Sequence, residues 1–299
     1  MLSICIPIYN FNVVKLVNEL HNQATLLQIN FEILCIDDCS DPDFKHQNKP
    51  IASLSHVNYI ELNENIGRSK IRNLFLQYAS FNYLLFLDCD ALISSYLFIQ
   101  NYIDAIKTDK QVVCGGLTYN KKKPARNFRL RWKYGIKKEV IPFEIRKSNP
   151  YKSFNTINFL INKSTFKQIQ FDERINGYGH EDTLFGYKLR KNNITIVHIN
   201  NPVINDSLEK NDEFIRKTEQ AIENLIQINE MVNDPDFIKG ITLLRTYDKL
   251  RKFHILFLVK VLFRIIKRTT RIVLISGCSC QNLFAFYKLG FLIQRINNN

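Results

Sequence analysis

The sequence is poor in the residues that break or loosen a chain. Its 299 residues include only 10 glycines and 8 prolines, which excludes collagen-like and low-complexity architectures. It also lacks any uncharged stretch of the ~18–20 residues needed to cross a bilayer. Acidic residues are scarce relative to basic ones, 28 Asp and Glu against 41 Lys and Arg. That imbalance excludes an acidic solvating chain and points to an anionic partner such as a phosphate group, nucleic acid or an acidic membrane. Paired Cys/His sets are missing. The seven cysteines, Cys5, Cys35, Cys39, Cys89, Cys114, Cys278 and Cys280, are odd in number and sit mostly in apolar runs, so they read as small buried hydrophobes in a reducing compartment rather than zinc ligands or disulfides. The opening Met1-Leu2-Ser3-Ile4-Cys5-Ile6-Pro7 carries no basic region and no cleavage site, unlike a secretory signal. A cytoplasmic protein is expected.

What is present is an ordinary globular composition, 45% hydrophobic and 23% charged, in a length suited to one or two domains. The charge is uneven. Residues 118–152 carry a balance of +10 and residues 239–299 one of +11, so the remainder is acidic at −8. A solvated face is the ordinary reading of any one charge run; two such runs on an acidic body suit a phosphate-handling enzyme or a nucleic-acid reader.

Apolar runs at residues 2–8, 32–36, 57–62, 83–87 and 111–117 alternate with helical spacings at 12–28, 68–80 and 92–106. This alternation predicts an α/β fold with a mainly parallel sheet flanked by helices. Further strands are expected at 154–161 and 194–197, and helices at 182–191 and 209–232. Residues 118–152, basic, aromatic and without period, are expected to form a long functional loop.

Ligands of such sheets gather beyond the carboxyl ends of the strands. Asp37-Asp38 and Asp88-Cys89-Asp90 both fall at such ends. Two carboxylates one residue apart can hold a hard divalent cation with phosphate oxygens, although a lone Asp-x-Asp is more often a solvated turn. Three further motifs accompany it: Ile4-Cys5-Ile6-Pro7-Ile8-Tyr9-Asn10, Asn65-Ile66-Gly67-Arg68-Ser69 leading to Arg72-Asn73, and Gly177-Tyr178-Gly179-His180-Glu181-Asp182 before a helix.

In order and spacing these motifs resemble inverting glycosyltransferases of family 2, of the bacterial surface-polysaccharide type with a galactosyltransferase-like Gly-Tyr-Gly-x-Glu-Asp segment. The resemblance covers about residues 1–230. It implies the GT-A (Rossmann-like) fold, with a catalytic domain over 1–238, divided into a nucleotide-binding half, 1–117, and an acceptor/catalytic half, 118–238. Residues 239–299 would be a helical basic and apolar extension able to associate with a membrane. The implied chemistry is transfer of a sugar from a nucleotide-diphosphate donor, UDP-linked, to a saccharide acceptor that is in some cases lipid-linked, assisted by Mn²⁺ or Mg²⁺.

The resemblance also implies residue roles. Pro7 and Tyr9 would line the nucleobase pocket, Asp38 would accept a hydrogen bond from the base with Asp37 in support, and Asn65, Gly67 and Arg72 would shape the nucleotide site. Asp88 would face the ribose or the metal, Asp90 would bind the metal, Asp182 would be the general base, and Glu181 would position acceptor or sugar. One departure is visible. Similar sequences place a metal-binding histidine after an Asn-Pro pair, whereas here Asn201-Pro202-Val203-Ile204 runs into Asn205-Asp206. That leaves Asn205, Asp206 or His198 to complete the set, and an isolated histidine after a strand is more often structural. A sugar nucleotidyltransferase is the alternative enzyme, but the segment after Asn10 has no glycine-rich loop for a triphosphate. A nucleic-acid-binding protein using residues 118–152 is the alternative of another class, and nucleic acid is not an expected partner of the first reading. The interleaved basic and bulky apolar residues of 253–287 suit a helix lying at an anionic membrane surface, which would make the protein peripheral at the inner face of the cell membrane.

Overall fold

The computed structural model describes residues 1–296. Its strands are β1 (Leu2–Ile8), β2 (Phe31–Asp37), β3 (Val57–Glu61), β4 (Tyr83–Leu87), β5 (Ala91–Leu92), β6 (Gln111–Cys114), β7 (Leu117–Tyr119), β8 (Asn158–Asn162), β9 (Thr195–His198) and β10 (Val203–Asn205). The helices are α1 (Val14–Leu26), α2 (Pro42–Asn48), α3 (Arg68–Tyr78), α4 (Phe98–Asp104), α5 (Arg129–Tyr134), α6 (Phe143–Ser148), α7 (Lys163–Ile169), α8 (Glu181–Lys191), α9 (Asn211–Val232), α10 (Pro235–Gly240), α11 (Thr242–Lys252), α12 (Leu256–Ile275) and α13 (Gln281–Ile296).

Seven strands form one sheet in the order β3-β2-β1-β4-β8-β6-β9, and β5-β10-β7 form a small second sheet. The large sheet is mainly parallel; β8 alone runs against its neighbours β4 and β6. Alternation along β1 explains the two-sided core. Leu2, Ile4, Ile6 and Ile8 pack with Val13, Leu16, Val17 and Leu20 at α1, whereas Cys5 joins Ile71 and Phe75 of α3 on the other face. A strand covered on both faces reads as a near-continuous apolar run, which is why residues 2–8 are apolar but for Ser3, whose hydroxyl donates to Glu32.

The chain divides into two compact units. The first, residues 1–120, 139–176 and 181–207, holds both sheets. The second, residues 121–138, 177–180 and, among the described residues, 208–296, is helical. Its core is built on α9, whose Phe214 meets Tyr134 of α5 and Phe284 of α13. Gly290 of α13 lies where an added side chain would strike the Phe263 ring of α12, so those two helices pack closely.

Two expectations are corrected. Residues 118–152 are not a long loop: they contain the end of β7, a 3₁₀ turn at Arg126–Phe128, α5, a π turn at Gly135–Glu139, and α6. None of these is longer than six residues, too short to print a helical period on the sequence. Residues 92–106 are not one helix either. Leu92 belongs to β5, and α4 begins only at Phe98.

Candidate active site

The site is built at the carboxyl ends of β1, β2 and β4, where backbone groups lace the turns together. Asp38 N donates to Ile8 O at 2.8 Å, Asn10 N to Ser40 Oγ at 2.8 Å, and Asp41 N to Asn10 Oδ1 at 2.7 Å. Pro7 is half-buried and Tyr9 is 55% exposed, leaving its ring face open. Asp37 is fully buried and turned inward: Ser40 N donates to its Oδ1 at 2.6 Å and the Tyr59 hydroxyl to its Oδ2 at 3.1 Å. It shapes the turn. Asp38 accepts from Ile66 N at 2.7 Å and Gly67 N at 3.0 Å, and Asn65 Nδ2 donates to its carbonyl at 3.1 Å. Burial raises the Asp38 carboxyl against the lowering effect of those two amides. Its remaining lone pairs stay available to a ligand.

Asp38 thereby anchors the start of α3. Gly67 caps that helix at φ 83°, ψ 170°, a region essentially restricted to glycine. An added Cβ would meet nothing within 4 Å, so the constraint is the backbone itself. Gly67→Ala is expected to cost about 1–3 kcal/mol, read as a lower urea midpoint; an unchanged midpoint would show that the turn relaxes freely.

α3 then joins the acidic groups. Arg72 Nη2 lies 2.8 Å from Asp88 Oδ1, and Arg72 Nη1 lies 3.8 Å from Glu181 Oε1. Arg68, one turn earlier, reaches the same Glu181 oxygen at 3.3 Å. The Asp37–Asp38 turn, the Asp88–Asp90 turn and the Glu181–Asp182 pair are thus linked through a single helix. Arg68 was not singled out as functional from sequence; the signal that could have found it is its i, i+4 spacing to Arg72. Asn73 is structural, donating to Phe171 O and Glu173 and accepting from Phe171 N.

Glu181 and Asp182 open α8, where a helix N-terminus favours negative charge. Their environments push them apart. Burial would raise Glu181, but the Arg68 and Arg72 guanidiniums outweigh it and hold the carboxyl below its usual range. Asp182 is raised, first by burial and then by the charge of Glu181. Thr183 N and Oγ1 both donate to Asp182 Oδ1, at 2.6 and 3.2 Å. Such a split between neighbouring carboxylates separates a fixed anion from a group that can exchange a proton near neutral pH.

The Asp88–Asp90 turn meets β10 through oxygen-bearing side chains. β10 runs alongside β5, with Asn205 opposite Ala91 and Asp206 N donating to Asp90 O at 3.1 Å. Asn205 Nδ2 lies 3.4 Å from Asp90 Oδ2, while its buried Oδ1 has no hydrogen-bond partner. A buried amide oxygen without a donor is costly; turned toward Asp90, it would supply a hard ligand. Among the described residues no three His, Cys, Asp or Glu side chains gather as a metal cluster; the oxygen set is two carboxylates, Asp88 and Asp90, and one amide.

His198 does not join that set. Its Nε2 is 3.0 Å from Pro150 O and its Nδ1 3.0 Å from Arg146 Nη1, so both ring nitrogens are engaged, and burial lowers its pKa. Arg146 itself is buried, donating to the carbonyls of Cys114, Gly115 and Ile199. It holds the Gly115-Gly116 turn and is not a ligand-facing cation.

Three comparisons bear on this geometry. Residues 3–170 match the family described as Glycosyl transferase family 2. Chondroitin synthase of Escherichia coli is 25% identical over 222 residues, covering 63% of this chain and 32% of the synthase; the chain therefore spans less than half of that relative. Among solved structures, the mannosyltransferase PcManGT from Pyrobaculum calidifontis in complex with GDP-Man and Mn²⁺ superposes with a TM-score of 0.58 at 11% identity, over 99% of this chain and 86% of the other. Glucosyl-3-phosphoglycerate synthase from Mycobacterium tuberculosis, in complex with Mn²⁺, UDP and phosphoglyceric acid, gives 0.51 at 15% identity, over 76% and 78%. At these identities the two structures speak to the fold.

Proposed function

This chain belongs to glycosyl transferase family 2 and has the GT-A fold; from that premise we propose that it is a metal-dependent, inverting glycosyltransferase moving a sugar from a nucleotide-diphosphate donor, UDP-linked, to a saccharide hydroxyl in bacterial surface-glycan assembly. The reading assigns residues 1–238 to catalysis, 1–117 holding the nucleotide and 118–238 the acceptor side, and 239–299 to a helical extension. The likeness to chondroitin synthase of Escherichia coli supports the saccharide acceptor. The observation that carries the reading is the Arg72 bridge, which brings Asp88 and Glu181 together next to a carboxyl raised toward neutrality.

The chemistry follows from the groups. The acceptor oxygen bonds to the donor's anomeric carbon from the face opposite the diphosphate, the carbon–oxygen bond to the diphosphate breaks, and the acceptor proton passes to Asp182. Asp182 Oδ1 is occupied by Thr183, so Oδ2 receives the proton. Glu181, ionised and fixed by two arginines, positions rather than exchanges. Asp88, Asp90 and Asn205 would hold Mn²⁺ or Mg²⁺, which when bound neutralises charge on the departing diphosphate. Tyr9, with its exposed ring, and Pro7 would border the base, while Asp38, Asn65 and Gly67 keep α3 in place beside the phosphates.

Titration of UDP and of GDP with Mn²⁺ or with chelator tests the assignment. UDP binding that chelator abolishes is expected. Equal affinity for GDP would remove the uracil assignment, and chelator-insensitive binding would remove the metal. Asn205→Ala is expected to weaken Mn²⁺ binding by about tenfold or more, read by electron paramagnetic resonance of free Mn²⁺; wild-type affinity would exclude Asn205 as a ligand.

A further inference from the structure

Helix α12 is apolar on two opposite sides. Phe263, Thr270 and Leu274 are buried, with Phe263 packed against Phe286 and Tyr287 of α13. Phe257, Leu258, Val261, Leu262, Ile265 and Ile272 are exposed, Phe257 and Ile265 at 72% each. At about 100° per residue these six fall within an arc of about 140° centred opposite the buried side. Nine of the large hydrophobics exposed among the described residues lie in 253–273, so this is a concentrated patch and not scattered surface.

Lys260, Arg264, Arg268 and Arg271 run along one flank of that apolar face, while Lys267 beside them donates to Gln294 of α13. The sequence has no Asp or Glu after Asp248. The exposed Lys121, Lys123 and Arg126 belong to the same compact unit, and an added side chain at Gly277, just past α12, would strike Arg126. No described helix is long and apolar enough to cross a membrane.

We propose that α12 lies in the plane of an anionic lipid surface, its exposed apolar side in the acyl boundary and its basic flank on the headgroups. An interfacial helix needs this combination of a wide apolar face and adjacent cations. A second copy of the chain fits less well, because an antiparallel self-complementary contact along α12 would bring two basic flanks together. The buried side already satisfies packing on α13, so the exposed side is not required for folding. The inference does not depend on the catalytic reading.

Flotation of the full chain with lipid vesicles tests it, comparing pure phosphatidylcholine with vesicles containing about a third phosphatidylglycerol. The wild type is expected to float with the anionic vesicles, and at least about tenfold less with neutral vesicles or at high salt. Phe257→Ser/Leu258→Ser/Ile265→Ser and, separately, Arg264→Gln/Arg268→Gln are each expected to lower anionic partitioning by about tenfold or more. All five positions are exposed, so melting temperature and UDP binding should be unchanged. Absence of vesicle binding by the wild type would overturn the proposal, as would variants that float like it. A dimer in sedimentation velocity that the apolar triple variant abolishes, with no lipid binding, would assign the face to a second copy instead.

Discussion

Asp182→Asn is expected to lower kcat by about 10²–10⁴-fold, the usual contribution of a positioned general base, while leaving affinity for the nucleotide donor nearly unchanged. Asn keeps the shape and can still accept from Thr183 through its oxygen, so folding should survive. The wild-type pH profile carries a second signature. Burial, and after it the neighbouring Glu181 charge, push Asp182 up to about 6. The base must be deprotonated to accept the acceptor proton, so kcat/KM should rise tenfold per pH unit on the acid side, bend near 6 and flatten above. Glu181→Gln removes the neighbouring negative charge and should move the bend to lower pH. An acid limb near 4 in the wild type, or an Asp182→Asn enzyme within tenfold of normal turnover, would remove Asp182 from the proton-transfer role.

Several parts of this site were legible in the sequence because they depend on local chemistry. Strand ends followed by Asp-Asp and Asp-Cys-Asp stand out, because each is an apolar run that stops at carboxylates at one edge of a parallel sheet, although any one of them alone reads equally as a solvated turn. The double-sided core was equally readable from the nearly continuous apolar letters of β1 and β4 and of β2 from Ile33 to Ile36. What could not be read were the relations between distant segments. Arg146 lies in the most basic stretch of the chain, yet it is buried against the carbonyls of Cys114, Gly115 and Ile199, contacts that join segments far apart in the sequence. The spacing from Asp90 to Asn205 is 115 residues, and only the pairing of β5 with β10 makes them neighbours. Positive φ at Gly177, Gly179 and His180 explains a Gly-Tyr-Gly-His run that composition alone leaves as a loop. Gly179 also faces the Ala221 side chain, where an added Cβ would collide.

Arg72→Met should show that the bridge is energetic as well as geometric. Arg72 is 2% exposed and its partner Glu181 5%, so removing the guanidinium leaves a buried carboxylate facing only the more exposed Arg68. Breaking a buried pair from one side typically costs about 3–5 kcal/mol. Asp88 is partly solvated, with a side-chain exposure of 24%, so the lower end of that range is expected, read as a fall in urea midpoint with unchanged slope. Arg72→Met/Glu181→Gln, which removes the stranded charge as well, should recover part of that loss without recovering transfer. Arg72 holds the Asp88 turn and Glu181 in one arrangement, so UDP affinity should fall in both variants. A midpoint equal to wild type would mean that the Arg72 contacts are not coupled in solution. A large destabilisation with full UDP affinity in the folded fraction would make Arg72 a scaffold residue with no part in holding the nucleotide.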